Sequence, residues 1–93
     1  MVMYSLKCFT GIFAKFASGG RRADVRTIDD VNFAEGDIVT YREGEPDVKE
    51  GYKYTGRWMT FEITDVSSEC LPKGQVLLSL KFVEGDLYGV STK

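Results

Sequence analysis

The chain contains no histidine and only two cysteines, Cys8 and Cys70, among its 93 residues. Protein zinc sites are built from cysteine thiolates and histidine imidazoles, and two separated thiols cannot supply the usual ligand set. We therefore expect no metal and no cofactor, and we assign no catalytic residue. Both thiols are expected to be reduced and mostly buried, as in a cytoplasmic protein.

Long apolar runs and a strong charge of one sign are also absent. No apolar stretch approaches the ~20 residues that a membrane helix requires. Residues 1–16 are interrupted by Lys7, Gly11 and Lys15, unlike a secretory signal peptide. These features predict a cytoplasmic protein that does not associate with membranes.

The net charge of −2 limits how the chain can bind a polyanion. The molecule as a whole offers no long-range attraction, so nucleic-acid binding requires a local basic patch. The composition, with 43% hydrophobic and 28% charged residues, is that of an ordinary globular protein. A chain of this length holds one core, which predicts a single domain over residues 1–93.

Hydrophobic periodicity predicts a mainly β fold (α+β) with one short helix. Residues 4–8 alternate between apolar and polar, as in a half-buried strand. Apolar residues between 9 and 16 recur at three-and-four spacing, which predicts a core-packed helix of about two turns, with Thr10 as its N-cap and the Gly19–Gly20 pair as its stop. Further strands are predicted at 22–27, 38–41, 57–66, 75–82 and 87–90. This order predicts an antiparallel barrel of five to six strands with the helix covering one end.

Two segments have an unusual distribution of charge. Residues 22–27 alternate so that one face of the predicted strand is apolar and the other is charged. Residues 43–56 combine glycines and a proline with acidic residues, which predicts a long loop or an open hairpin. The acidic run in this segment is expected to be a solvated surface, or alternatively a contact surface for a basic protein; it comprises Glu43, Glu45, Asp47 and Glu50.

Several short runs resemble the ASCH domains of the PUA-like superfamily. Gly19, Arg21, Asp24 and Arg26 are similar to the ASCH motif of a glycine, a basic residue, an acidic or hydroxyl residue and an arginine. Residues 33–37 resemble the F-x-x-G-D turn, and 54–57 and 75–80 resemble elements of an uncharacterised bacterial and phage branch. The resemblance implies a small PUA-like β-barrel in the cytoplasm of a bacterial cell or a phage-infected host. It also implies a cleft between helix and barrel that binds RNA or modified nucleosides.

Some proteins of this type are amidohydrolases that act on acetylated cytidine, with a lysine and a threonine three residues later supplying the chemistry. The corresponding positions here are Arg21 and Asp24. A buried lysine can be tuned to act as a base, whereas arginine keeps its proton at any accessible pH. The sequence therefore argues against hydrolysis, and a hydrolase acting on a modified nucleoside is the third-ranked hypothesis.

The candidate nucleic-acid-binding residues combine cations with aromatic side chains. Arginine forks hold phosphates and bases stack on aromatic rings. Alternatively, the charges at 21–26 form an ordinary surface ion-pair ladder and Trp58 is a core residue. The first hypothesis is an RNA- or nucleotide-binding module; the second is a phage or mobile-element accessory protein that binds a host protein through the acidic run. The candidate residues are Arg21, Arg22, Asp24, Arg26, Lys53, Tyr54, Arg57 and Trp58.

Overall fold

A computed structural model describes residues 1–27 and 32–85, which form five strands and one helix. The elements are β1 (Met3–Phe9), α1 (Thr10–Ala17), β2 (Ala23–Thr27), β3 (Ile38–Asp47), β4 (Gly51–Ser67) and β5 (Gln75–Gly85). The mainly β fold and the single short helix after the first strand are confirmed over these residues. The predicted strand at 87–90 lies outside them. No helix in the described part of the chain is long and apolar enough to cross a membrane.

The strands form one open sheet in the order β1-β3-β4-β5-β2. Neighbouring strands are antiparallel except for β1, which runs parallel to β3. The prediction of antiparallel pairing throughout was wrong for β1, because α1 and β2 lie between β1 and β3 in the chain and allow a crossover. Within the described residues no backbone ladder joins the edge strands β1 and β2. Arg26 Nη2 crosses this seam and donates a hydrogen bond to Lys7 O at 3.2 Å.

The core lies between α1 and one face of the sheet. Phe13 and Phe16 of α1 are completely buried, which confirms that these helix phenylalanines are core residues. The Phe16 ring stacks on Tyr41 with a centroid distance of 4.9 Å and lies 5.3 Å from the Phe61 ring. Burial of each such side chain contributes about 1.5–3 kcal/mol. Phe9, from the same predicted stripe, is instead 53% exposed.

The two ends of α1 are held in different ways. Thr10 is the first helical residue and not the predicted N-cap, which is Phe9. Glu45 of β3 satisfies this end, because its Oε1 accepts hydrogen bonds from the Thr10 N–H at 3.1 Å and from the Thr10 hydroxyl. At the other end Gly19 adopts a positive φ of 85° and donates to Phe16 O, so the predicted glycine stop is confirmed. The stop lets β2 begin close to α1.

The segment 43–56, for which a long loop or an open hairpin was predicted, is the β3–β4 hairpin. β3 continues to Asp47 and β4 begins at Gly51. The Asp47 carboxylate accepts the backbone N–H groups of Lys49 and Glu50 at 3.2 and 2.8 Å, which closes the turn. The hairpin therefore forms a regular arm of the sheet beside α1.

Candidate functional site

The charged side chains of β2 include one that faces the interior. Asp24 is only 7% exposed, whereas Val25 is 43% exposed. The predicted alternation is correct, but the charged face is the one turned inward. The reason is the position of β2 at the edge of the sheet, where its inner face borders the seam with β1 and not only the apolar core.

Asp24 lies at the centre of four connected side chains, Arg21, Asp24, Arg26 and Tyr41, which we name the Asp24 cluster. Arg26 Nε donates to Asp24 Oδ2 at 2.6 Å, and the Tyr41 hydroxyl donates to the same oxygen at 2.9 Å. Arg21 Nη2 contacts Oδ1 at 3.4 Å, while Arg21 Nε donates to Ala23 O at 2.8 Å. Charge-assisted hydrogen bonds to one buried carboxylate thus orient both guanidinium groups.

Tyr41 and Arg26 of the Asp24 cluster keep their protons at neutral pH. Burial, followed by the charge of Asp24, raises the pKa of Tyr41 well above its ordinary value, so its hydroxyl remains a donor. Burial alone would lower the pKa of Arg26, but the Asp24 charge and hydrogen bond raise it overall. The cluster therefore presents two permanent cations.

Cys8 lies beside the Asp24 cluster and is 3% exposed, as predicted. Burial, and next the charge of Asp24, raises the pKa of the Cys8 thiol to about 11, so it stays protonated at neutral pH. A neutral thiol is a poor nucleophile. Cys70 is exposed, and the prediction that both thiols are buried was wrong for it, because it lies in the connection between β4 and β5.

A cleft of about 460 Å³ opens beside the Asp24 cluster. It is bounded by β2, the end of β1, the start of α1 and the β3–β4 hairpin, and its volume is within the usual range of small-ligand sites. Among residues 1–27 and 32–85, three cations and one carboxylate line it, namely Lys7, Arg21, Arg26 and Asp24. The cleft is therefore locally positive on a chain whose net charge is negative.

The wall formed by β1 and the hairpin is aromatic. The Tyr52 hydroxyl donates to Cys8 O at 3.0 Å, and its ring centroid is 6.1 Å from that of Phe9. Lys7 Nζ lies 5.0 Å from the Tyr52 ring centroid. Gly44 makes room for this arrangement, because a Cβ there would lie 2.4 Å from Tyr52 Cε2. The fold thus places a half-buried ring at the edge of the cationic cleft.

A second buried carboxylate, Glu43, binds Thr55 and Arg57, and we name these three residues the Glu43 clamp. Arg57 donates through Nε and Nη2 to the two carboxylate oxygens at 2.8 and 2.7 Å, and the Thr55 hydroxyl donates at 2.7 Å. The Arg57 guanidinium also lies 5.4 Å from the Phe13 ring centroid. These contacts give Arg57 a structural role in joining the hairpin to α1.

Glu43 is 1% exposed, so the prediction that it belongs to a solvated acidic surface was wrong. The cause is a shift of the β3–β4 register between Arg42 and Gly44, where Glu43 lies. Burial by itself would raise the pKa of Glu43, but hydrogen bonds from Arg57 and Thr55 and the Arg57 charge lower it overall. The buried group is therefore a carboxylate.

The cleft brings together only some of the sequence-predicted site residues. Arg21, Asp24 and Arg26 line it, whereas the other five lie outside its lining. Arg22 donates to Phe16 O and Arg21 O, both at 2.8 Å, and so secures the end of α1. On β4, Lys53 is exposed, Arg57 belongs to the Glu43 clamp, and Tyr54 and Trp58 are 40% and 39% exposed. The alternative interpretation of Trp58 as a core residue was wrong, because its side chain reaches the surface.

Sequence reasoning missed Lys7, Phe9 and Tyr52 as cleft residues. Lys7 and Phe9 were counted only as parts of a strand and of a helix stripe. Tyr52 has the same strand parity as Tyr54 and also lies next to Lys53, so the pairing of a cation with a ring that indicated Tyr54 applies to it equally. No local pattern indicates that β1 and β2 meet across a seam, because their residues are distant in sequence.

These features define a small, mainly β protein with one helix in its described part and a cation-lined cleft at the open seam of its sheet. The chain matches the family described as Domain of unknown function (DUF3850) over residues 3–80, a span that includes every described residue lining the cleft. It therefore belongs to that family. A comparison with curated proteins finds no match.

Proposed function

We propose that the cleft binds RNA or a nucleotide, with a phosphate held by Arg21 and Arg26 and a base against Phe9 and Tyr52. The observation that carries this proposal is the placement of two oriented guanidinium groups and an aromatic wall in the lining of one cleft. Arginine forks match phosphate oxygens, and each base stacked on an aromatic ring contributes about 1–3 kcal/mol.

The two arginines are already ordered for binding. Their side chains are 31% and 29% exposed for Arg21 and Arg26, so they reach solvent while Asp24 restrains them. Within the described residues, the Nη1 atoms of both guanidinium groups take no part in a hydrogen bond. Little side-chain freedom remains to be lost when an anion binds, which favours affinity.

The resemblance to ASCH domains supports the proposal from the sequence. The glycine-to-arginine motif at 19–26 is the segment that supplies Arg21, Asp24 and Arg26 to the cleft. The resemblance implies RNA or modified nucleosides as ligands. RNA combines a polyanionic backbone with planar bases, and a nucleoside combines a polar sugar with a planar base. This is the chemistry that a cationic and aromatic cleft accommodates.

Fluorescence anisotropy with short single-stranded RNA and DNA at two salt concentrations tests the proposal. We expect Arg26→Gln to weaken RNA binding by about tenfold or more, because a charged hydrogen bond contributes about 1.5–3 kcal/mol. Lys73→Gln, in the exposed β4–β5 connection, makes the same charge change away from the cleft and should have little effect. Arg26→Lys keeps the positive charge but removes the planar guanidinium, so it measures the contribution of the guanidinium geometry separately from that of the charge.

Two results would overturn the proposal. One is the absence of binding to any oligonucleotide at low salt. The other is an equal loss of affinity in Arg26→Gln and Lys73→Gln, with both variants folded by circular dichroism, since a diffuse charge effect would then explain binding.

The acidic run is the basis of the second candidate function, docking on a protein. Three of its four carboxylates, those of Glu43, Glu45 and Asp47, already accept hydrogen bonds from within the chain. This internal use makes the run a weaker candidate than the cleft. A pull-down from nuclease-treated bacterial lysate distinguishes the two, because a stoichiometric protein partner that survives nuclease treatment favours docking.

Hydrolysis of a modified nucleoside remains the third candidate. The chain has no histidine to activate a nucleophile, and the only thiol in the cleft lining is the protonated Cys8. We expect no turnover when the protein is incubated with acetylated cytidine and the mixture is separated by chromatography.

A further inference from the structure

Two cations lie over two tyrosines on the surface that continues from the cleft, and we name these four residues the cation–tyrosine array. Lys7 Nζ is 5.0 Å from the ring centroid of Tyr52, and the Arg42 guanidinium is 3.9 Å from that of Tyr54. The two tyrosine rings meet edge to face with a centroid distance of 4.9 Å. The array joins the cleft, which contains Lys7 and Tyr52, to the exposed side of β3 and β4.

The array follows from the strand register. Lys7 and Arg42 are direct partners in the parallel β1–β3 pair. Tyr52 and Tyr54 are two residues apart on β4, so their side chains share one face. Gly44 opposes Tyr54 and has no side chain that would separate the rings. Neighbouring strands therefore supply two cation–ring pairs side by side.

Arg42 and Tyr54 form a surface suited to a flat ligand. Both are exposed. The Arg42 guanidinium lies over the Tyr54 ring, and its own plane offers a flat surface on which a base can stack. Trp58, the register partner of Arg42 on β4, is 39% exposed beside them. RNA bases stack on aromatic rings and on arginine guanidinium planes without a requirement for one base type.

Charge indicates the direction in which a bound strand would leave the cleft. The hairpin tip carries two carboxylates, Asp47 and Glu50, and one cation, Lys49, so its net charge is negative and repels phosphate. The array instead carries two cations, with Lys7 over Tyr52 and Arg42 over the neighbouring Tyr54. A polyanion that starts in the cleft is therefore favoured to pass over the array.

We infer that the array is a second stacking subsite and that the ligand is a single-stranded oligonucleotide of at least two consecutive nucleotides. This inference rests on the proposed function of the cleft. Tyr52 belongs to both surfaces, so one nucleotide bound in the cleft places its neighbour beside Tyr54 and Arg42. A free mononucleotide fills the cleft, including Tyr52, but leaves Tyr54 and Arg42 of the array unoccupied.

A length series tests the inference. A fluorescent pentanucleotide, as oligo(U) and as oligo(A), is displaced by the unlabelled mononucleotide, dinucleotide and pentanucleotide of the same base. For the unaltered protein we expect the pentanucleotide to bind about tenfold more tightly than the mononucleotide, the effect of one further stacked base. Arg42→Ala and Tyr54→Leu should remove most of this gain while leaving mononucleotide affinity unchanged.

The controls separate this inference from the proposed function. Lys73→Ala removes one positive charge far from the array and should preserve the gain with length. Equal affinity for the mononucleotide and the pentanucleotide, or an equal effect of Arg42→Ala on both, would overturn the second subsite while leaving the cleft intact. Loss of binding to every length in Arg26→Gln, but not in Arg42→Ala, assigns the mononucleotide to the cleft. Absence of binding at all lengths would overturn the proposed function together with this inference.

Discussion

The Asp24 cluster and the Glu43 clamp use the same residue types for different purposes. Each contains a carboxylate that is almost fully buried, with exposures of 7% for Asp24 and 1% for Glu43. Asp24 contacts two arginines, and both line the cleft. Glu43 binds one arginine through both oxygens, and that arginine lies outside the cleft lining.

The ratio of cations to carboxylates distinguishes the two regions. One carboxylate between two guanidinium groups orients them and leaves positive charge available to an anion. One carboxylate matched by one guanidinium fork joins two parts of the fold with little charge left over. A buried acid–arginine pair is therefore a poor indication of a binding site unless the number of cations exceeds the number of acids.

Arg57→Ala is expected to have the largest effect and tests the role of the Glu43 clamp. We expect the free energy of unfolding to fall by about 3–5 kcal/mol, because Glu43 would be left buried without its cation. Urea denaturation measures the change, and replacing both partners, as in Glu43→Leu with Arg57→Met, should recover much of it. RNA affinity of the folded variant should be unchanged. Normal stability with lost binding would contradict the distinction.

Gly44→Ala should perturb both regions, since Gly44 follows Glu43 and lies under Tyr52. The new Cβ would lie 2.4 Å from the Tyr52 ring and 2.5 Å from Lys53 O. We expect a loss of about 2–3 kcal/mol in unfolding free energy, as for other overpacked sites, together with weaker RNA binding. Gly11→Ala is the matched control, because a Cβ at Gly11 meets nothing within 4 Å.

The stability of the protein at alkaline pH tests the burial of Cys8 and Tyr41 around Asp24. Burial raises the pKa of the Cys8 thiol from 9.0, its value in the unfolded chain, to about 11 in the folded protein. The stability that this shift contributes is therefore fully present below pH 9 and falls by about 2 kcal/mol as the pH rises to 11. Burial also raises the pKa of Tyr41, so at alkaline pH this group lowers the unfolding free energy further. Urea denaturation at pH 7 and at alkaline pH should show a shallower fall in unfolding free energy for Cys8→Ala than for the unaltered protein.

Tyr41→Phe is expected to have the smallest effect. It removes one hydrogen bond to Asp24 but leaves both arginines in place, so the unfolding free energy should fall by about 1.5 kcal/mol. RNA affinity should stay within error. If Tyr41→Phe lowered the unfolding free energy as much as Arg57→Ala, Asp24 would depend on Tyr41 as strongly as Glu43 depends on Arg57.

Local patterns predicted much of the fold. The three-and-four spacing of apolar residues located α1, Gly19 marked its end, and alternation located β4. Thr10 was wrongly assigned as the N-cap because Glu45, which binds the Thr10 N–H, is 35 residues away. Propensity and periodicity describe neighbours in sequence and contain no information on such a partner.

The candidate site was predicted only in part for the same reason. The structure places Arg21, Asp24 and Arg26 of the segment 19–26 in the cleft lining, whereas Arg57, which was grouped with them, is held elsewhere by Glu43. Tyr52 was missed because its contact with Cys8 joins residues 44 positions apart.

The sequence by itself determined the mainly β character, the helix and its glycine stop, and the charged residues of β2, since each depends on side chains within a few positions of one another. Only the tertiary structure decided that β1 pairs in parallel with β3 and that the charged face of β2 turns inward at the seam. It also decided that Arg57 pairs with Glu43 alone, whereas Arg21 and Arg26 share Asp24. Pairing of distant strands sets these features, and the free energy of that pairing comes from contacts that no local pattern contains.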